Sequence, residues 1–461
     1  MINWATIDRK NMNIPFAPPP PPLHPLPTPA QLAWQHRSFS LFVHFGTNTF
    51  TGSEWGDGQA SPSVFNPTAF DADQWAATAR AAGATAMVLT AKHHDGFCLW
   101  PTETTPYSVK HAPWNAGAGD VVGAFVEACR RHGLVPGLYL SPWDRHEPRY
   151  GDSPAYNAFY LAQLEELLTR YGELGEIWFD GACGEGPDGR RQQYDWPAFF
   201  ACCHRLQPQA VVFGDGGTDV RWIGNERGVA GDPNWCMVDS TRIRYPGDAG
   251  ADRPVDARAA ALDMARELQH GDEQGDVWRP GEVDVSIRPG WFYHAAEDGC
   301  VRSLSNLIAL YFRSVGRNAS LLLNVPPTPE GRFHAVDVAR LTAFGRWLRT
   351  RLSEDVLAGA AVAVDDQAVE IRLPAPRRLD TLRLAEPLEW GQRVRRHRVR
   401  MREADGSWGW LIDGDTIGHC RLHRFEPVLT DGVRIETTAR RGEPPAPLAE
   451  VSGFCVSAGE G

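Results

Sequence analysis

The sequence predicts an α/β protein, a (β/α)8-like TIM barrel followed by a C-terminal antiparallel β-sandwich. Three observations carry this. Short apolar stretches alternate with amphipathic helical stretches from about residue 31 to 352, and strands this continuous in apolarity are buried on both faces. No GxGxxG follows an early strand, which disfavours the alternative, an open doubly wound sheet. After residue 353 the pattern turns to apolar–polar alternation broken by turn signals, as in antiparallel sheets.

Residues 1–30 form a Pro-rich arm. Its run "APPPPPLHPLPTP" favours polyproline II, builds no core and is expected to wrap the surface of the body. Residues 31–352 hold the barrel strands "SLFVHFG", "TAMVLTAKHH", "LVPGLYLS", "GEIWFDG", "AVVFGD", "DVRWIGNE", "EVDVSI" and "SLLLNVPP". Between them "DVVGAFVEACRRHG" reads as a helix with Asp120 as N-cap and Gly133 as its stop. "SPAYNAFYLAQLEELLTRYG" opens with Ser153 as cap and Pro154 at the first helical position, and ends at Gly172. "VRSLSNLIALYFRSVG" places apolar residues at helical spacing. Residues 353–461 form the sandwich, with "AVAVDDQAVEIRLPAPRRLDTLRLAEPL" and "HRFEPVLTDGVRIETTA" alternating in the manner of strands.

A chain of 461 residues exceeds one ordinary core and suits two or three domains. The 17 tryptophans stand out. Trp-rich clefts grip flat apolar faces such as those of sugars, while the alternative places many of these rings in cores and interfaces. A net charge of −11 offers no basic footprint for nucleic acid and favours a neutral small molecule or glycan. The nine cysteines are scattered, with Cys202 and Cys203 the one close pair, and no zinc-ligand spacing occurs. They read as buried thiols in a reducing compartment. The opening residues show no signal-peptide h-region, and no apolar run nears the ~18 residues of a membrane span. A cytoplasmic protein is therefore expected, with a periplasmic or secreted form open if the true start lies upstream.

Barrels of this kind carry their chemistry at the C-terminal ends of the strands. Polar residues gather there: His44 after the first strand, with Glu54, Trp55 and Asp57 in the loop beyond. The second strand ends in His93, His94 and Asp95, and the third in Tyr139, Ser141 and Trp143. The fourth ends in Trp178 and Asp180, and later segments supply Glu226, then Arg288, Trp291 and His294.

Three readings follow. His44, His93 and His94 could meet a zinc ion. Against this, successive residues of an extended chain point in opposite directions, and "HF" stands where metal-dependent barrel hydrolases usually show HxH. Alternatively, Asp180 and Glu226 form the carboxylate pair of a glycoside hydrolase, and the histidines, kept neutral, donate to and accept from sugar hydroxyls. A third reading is a non-catalytic glycan-binding protein, which needs neither carboxylate. The carboxylate reading explains most residues and calls for no metal and no cofactor.

The segments "FVHFG", "GSEW", "AKHHDGFCLWP", "EIWFDGA", "RWIGNE" and "EVDVSIRPGWFYH…SVGRNASLLLNVPP" together resemble glycoside hydrolase family 29 α-L-fucosidases, in the family's order, over about residues 31–350. They look closer to the branch that prefers α-1,3/1,4-linked fucose on branched oligosaccharides. The resemblance implies a retaining exo-α-L-fucosidase with Asp180 as nucleophile and Glu226 as acid/base, Glu54, Glu147 and Glu297 being the other candidates for the second role. It implies that His44, Glu54, Trp55, His93 and His94 hold the fucose hydroxyls, and that Phe42, Tyr139, Trp178 and Trp291 surround the C6 methyl group. Arg288 would bind substrate or orient Glu226, and Asp57, Trp114 and Trp143 would line the +1 site. The implied partner is a fucosylated oligosaccharide or glycan, acted on by a monomer or homo-oligomer.

Overall fold

A computed structural model of the chain describes residues 14, 20–186, 189–214, 219–243, 257–445 and 447–456. The strands of its first part are β1 (Phe39–Val43), β2 (Ala86–Lys92), β3 (Val135–Leu140), β4 (Glu176–Trp178), β5 (Val211–Gly214), β6 (Val220–Trp222), β7 (Met237–Val238), β8 (Val277–Trp278), β9 (Gly281–Ser286) and β10 (Ser320–Asn324). β7 and β8 pair as a small antiparallel ribbon. The other eight close a parallel barrel in the order β1-β10-β9-β6-β5-β4-β3-β2. All eight strand segments read from the sequence enter it.

Successive strand residues point to opposite faces and both faces are covered, so nearly every position is buried. Leu41, Val43, Met87 and Leu89 face the surrounding helices and join the main core. Phe42, Val88, Tyr139, Trp178, Phe213 and Leu322 form a second cluster inside the barrel. The helix Val121–Arg131 is capped by Asp120, whose carboxylate accepts the Gly123 N–H at 2.8 Å. Left-handed Gly133 (φ +66°) turns the chain away from it. The helix Ser153–Arg170 starts one residue earlier than the sequence suggests, with Asp152 at the N-cap. Ser153 is drawn off as acceptor for the Gln193 N–H at 2.8 Å.

The second part contains β11 (Ala361–Val364), β12 (Ala368–Ala385), β13 (Val394–Arg402), β14 (Trp408–Gly414), β15 (Arg421–Arg440) and β16 (Glu450–Phe454). β12 and β15 are long and shift register midway, between Arg372/Arg377 and Leu379/Thr381. Their shared stretch around Ala368–Arg372 continues to β11, β13 and β14, whereas the later half of β12 pairs with β16. The two long strands thus serve both layers of a sandwich around Ile371, Leu379, Leu382, Val399, Ile435 and Val451. Arg421 bolts it to the barrel through a two-pronged pair with Asp232 at 2.6 and 2.9 Å.

The arm lies against this sandwich. The Leu23 N–H donates to the Trp390 carbonyl at 3.0 Å, and Arg441 donates to the His24 carbonyl at 3.1 Å. Ile14 is buried in the sandwich core, and the rest of residues 1–19 lies outside the described residues. All nine cysteines are free. The expectation of uniformly buried thiols is corrected, since Cys183 and Cys300 are exposed and Cys455 is partly so. Among the described residues no helix is long and apolar enough to cross a membrane.

Candidate active site

The mouth of the barrel is built on aromatic rings from β1, β3, β4 and β5. Phe42 packs against Trp178 at 5.1 Å and Tyr139 at 5.9 Å between centroids, and Trp178 stacks on Phe213 at 4.1 Å. Trp291, from the loop after β9, closes over Phe42 and His44 at 6.4 and 5.1 Å. The result is an apolar floor with polar groups standing around it.

Asp180 follows β4 directly. Its Oδ2 accepts the Tyr139 hydroxyl at 3.0 Å and its Oδ1 accepts the Ala182 N–H at 2.7 Å, leaving the side chain one quarter exposed. Two fixed donors aim the carboxylate outward. Glu226 lies in the loop after β6 and is exposed. Asn225 holds that loop, its amide donating to the Val229 carbonyl and to Gln269, both near 3 Å. Partial desolvation raises the Glu226 pKa, a hydrogen bond from Trp291 opposes the rise, and the charge of Asp180 adds to it. The two carboxyl groups therefore sense each other across the pocket.

Two of the three histidines, His44 and His94, have tautomers fixed by their partners. Asn324 at the end of β10 donates through Nδ2 to Ser286 and to the Trp291 carbonyl, so its Oδ1 must accept from His44 Nδ1–H at 2.8 Å. The Ser141 hydroxyl donates to the Trp143 carbonyl, so it accepts from His94 Nδ1–H at 2.7 Å. Each ring then offers Nε2 as an acceptor, that of His94 lying 3.8 Å from Asp180 Oδ2. His93 Nδ1 is buried with no hydrogen-bond partner. A buried polar atom left open in this way suits a ligand group. Replacing His93 with Leu is expected to raise KM and lower kcat/KM by roughly 10-fold, without lowering the urea midpoint. An unchanged KM would contradict this.

The expectation that His93 and His94 diverge is corrected: their rings lie 4.1 Å apart, on the same side. β2 ends at Lys92, and the chain turns tightly so that the Gly96 N–H meets the His93 carbonyl at 3.0 Å. Gly96 (φ +85°) has no room for a side chain, since a Cβ there would lie 2.4 Å from Asp144. Beneath the turn, fully buried Lys92 pairs with Asp144 at 2.9 Å and with Gln163 at 2.9 Å. Lys92→Met would leave a buried carboxylate without its cation. A loss of about 3–5 kcal/mol in unfolding free energy is expected by urea titration. Among the described residues no group of three or more His, Cys, Asp or Glu side chains is arranged to hold a metal ion.

Other sequence candidates take different places. Glu54 accepts the backbone N–H of Trp291 at 2.8 Å and of Phe292 at 3.3 Å, and pairs with His294 at 2.6 Å. It ties the loop after β1 to the loop after β9, with about a third of its side chain still exposed. Trp55 is exposed at the rim, 6.1 Å from His94 and 5.9 Å from Trp143. Beside it opens a cavity of about 540 Å³ lined by Asn48, Ser53, Asp57, Gln59 and Arg145. Trp114 is core, packed on Phe65 and Phe70, so its reading as a +1 residue is corrected.

Arg288 is a further correction. Its fully buried guanidinium pairs with Asp337 and Asp298 at 2.9 and 2.8 Å and stacks on Tyr293, so it neither lines the pocket nor orients Glu226. Glu147 is buried and bound by Arg149 at 2.6 Å, and Glu297 accepts the Gly290 N–H at 3.2 Å. Sequence reasoning missed Asn324, Phe292 and Phe213. Asn324 ends the buried "SLLLN", the same strand-end signal that singled out Asp180.

The buried ionisable groups set the pH range of the fold. Burial is the main cause that pushes His44 down to about 3, His93 well below 6.5, and His94 down. Histidine takes up protons near 6.5 once unfolded, so stability falls as pH drops from about 6.5. Burial also raises Asp95 to about 6, Glu176 to about 7 and Asp284 to about 8. Their contribution is complete below the ordinary carboxyl range and is lost as pH climbs through these raised values. The highest urea midpoint is thus expected between about pH 5 and 7. A midpoint still rising at about pH 8.5 would refute it.

A sequence model of the alpha-L-fucosidase family matches residues 33–232 and 252–351. The chain belongs to the alpha-L-fucosidases, glycoside hydrolase family 29. The protein named alpha-L-fucosidase 1 in Arabidopsis thaliana is 41% identical over 444 residues, covering 89% of this chain and 84% of its own. Bovine (Bos taurus) tissue alpha-L-fucosidase is 26% identical over 375 residues, covering 72% and 70%. The structure of a Ruminococcus gnavus family 29 fucosidase in complex with fucose superposes with a TM-score of 0.83 at 30% identity, covering 96% and 97%. This fucosidase is thus a glycoside hydrolase, and its substrate class is a fucosylated glycan.

Proposed function

We propose that this chain is a retaining exo-α-L-fucosidase that removes α-1,3/1,4-linked fucose from branched oligosaccharides by double displacement. Asp180 attacks the anomeric carbon as Glu226 protonates the departing glycosidic oxygen. The resulting fucosyl ester is then opened by water, whose proton passes to the Glu226 carboxylate as the C1–Asp180 bond breaks. The observation that carries this reading is the placement of Asp180 and Glu226, from two strand ends, over one aromatic floor with their charges coupled. The neutral imidazoles supply acceptors for hydroxyls, and the Phe42–Trp178–Trp291 surface suits a methyl group in place of a hydroxymethyl. The Ruminococcus gnavus relative was solved in complex with fucose, which supports fucose as the sugar taken here.

The cavity beside Trp55 has room for the sugar that follows fucose. NMR of the first-formed anomer tests the stereochemistry: α-fucose released first supports retention, and β-fucose overturns it. A panel of defined α-1,2-, α-1,3-, α-1,4- and α-1,6-fucosides tests the linkage, and turnover favouring α-1,2 or α-1,6 would refute the preference. Nine free thiols support a reducing, cytoplasmic location, which cell fractionation tests.

A further inference from the structure

β9 carries two carboxyl side chains that point into the barrel. Both are buried, with Glu282 at 1% and Asp284 at 4% exposure. Each accepts an indole N–H. Trp178 Nε1 donates to Glu282 Oε1 at 3.0 Å, and Trp222 Nε1 donates to Asp284 Oδ1 at 2.8 Å. The two tryptophans occupy equivalent places. Trp178 ends β4, two residues before Asp180, and Trp222 ends β6, four residues before Glu226. Both rings pack in the aromatic cluster of the barrel interior.

A buried indole needs one acceptor, and a backbone carbonyl would satisfy it. A carboxyl here is costly, because it is desolvated and stands near other acids. Asp284 faces Glu226 and Asp180 from above and Glu282 on its own strand, while Glu282 faces Glu176, with which it shares a hydrogen bond. Burial and these neighbours raise Asp284 to about 8 and push Glu282 well up, so both serve as neutral acids near neutral pH. As neutral groups they hold the indoles without repelling the two reacting carboxylates.

We propose that Asp284 and Glu282 are positioning residues. Through Trp222, Asp284 fixes the strand end that presents Glu226. Through Trp178, Glu282 fixes the strand end that presents Asp180. This rests on Glu226 as acid/base and Asp180 as nucleophile.

The test compares Asp284→Ala, Asp284→Asn, Glu282→Ala and Glu282→Gln, with Glu226→Ala as the control. Each is assayed on a nitrophenyl α-L-fucoside and on a defined fucosylated oligosaccharide. Displacing Glu226 impairs leaving-group protonation, so Asp284→Ala should lose roughly 10- to 100-fold in kcat/KM on the oligosaccharide and little on the nitrophenyl substrate. Glu282→Ala should lose similarly on both, because nucleophilic attack is common to them. Asp284→Asn and Glu282→Gln keep a neutral acceptor and should stay near the parent enzyme. If an alanine variant is unfolded at the assay temperature, Trp222→Phe removes the same hydrogen bond from its other end and should show the oligosaccharide-selective loss. Equal losses on both substrates for Asp284→Ala or Trp222→Phe, or an amide variant as impaired as its alanine counterpart, would overturn the inference. If Glu226→Ala itself shows no leaving-group dependence, the acid/base reading of Glu226 fails and takes the inference with it.

Discussion

Asp180→Asn is expected to lower kcat/KM by about 10⁴-fold or more on every α-L-fucoside, nitrophenyl substrates included. The amide is nearly isosteric: its oxygen can still accept the Ala182 N–H, and its NH2 can donate to the Tyr139 hydroxyl oxygen, the two groups that aim Asp180. The pocket should keep its shape and the chain its unfolding midpoint, so the loss isolates the nucleophile. A good leaving group cannot compensate, because bond formation to the anomeric carbon is itself removed. Turnover of nitrophenyl α-L-fucoside at the parent rate would end the assignment. Intrinsic mass measurement of the parent enzyme with a slowly turning-over fucosyl fluoride should in turn find the fucosyl adduct on the peptide containing Asp180.

Glu226→Ala should behave differently. A general acid contributes roughly 10²- to 10⁴-fold, and that factor should fall on oligosaccharides, whose leaving oxygen needs a proton. Nitrophenyl α-L-fucoside, with its acidic leaving group, should fucosylate Asp180 far more readily, and azide should then replace water on the fucosyl-enzyme to give α-fucosyl azide, the retained anomer. Absence of rescue would return attention to Glu54 and Glu297, since Glu147 is buried and held by Arg149. The pH profile follows from the same group. Glu226 must be protonated to act as acid, and burial and Asp180 raise its pKa above the ordinary 4.5. Activity on oligosaccharides should therefore persist above that value and decline as pH rises through the raised one. In Asp180→Asn the repulsion disappears, so Glu226 should titrate lower than in the parent enzyme.

Much of this architecture was legible in the residues. The strands could be read because a barrel strand is buried on both faces, so "SLFV", "AMVLTA" and "SLLLN" are buried at every position and mostly apolar, rather than apolar at every second one. Asp180 stood out because a carboxylate directly after buried "EIWF" has no surface reason to be there. Local chemistry misled where a side chain had a choice of partners. Arg288 belongs to a polar, aromatic stretch near the site, yet distant Asp337 claims it. Glu54 looked like a sugar ligand, and its carboxylate also clamps the backbone of Trp291 and Phe292. His93 and His94 were expected to diverge because an extended chain was assumed, whereas the strand ends at Lys92.

The sequence by itself determined the order of the strands, the groups at their C-terminal ends and the family to which those groups point. Those features depend on neighbours along the chain: periodicity, caps and turn residues act over a few positions. Only the tertiary structure decided the partners. It gave His44 its tautomer through Asn324, 280 residues away, and set Glu282 and Asp284 beneath the two tryptophans. Hydrogen bonds and desolvation act over a few ångströms of space, and barrel closure brings together strand ends that the sequence holds far apart.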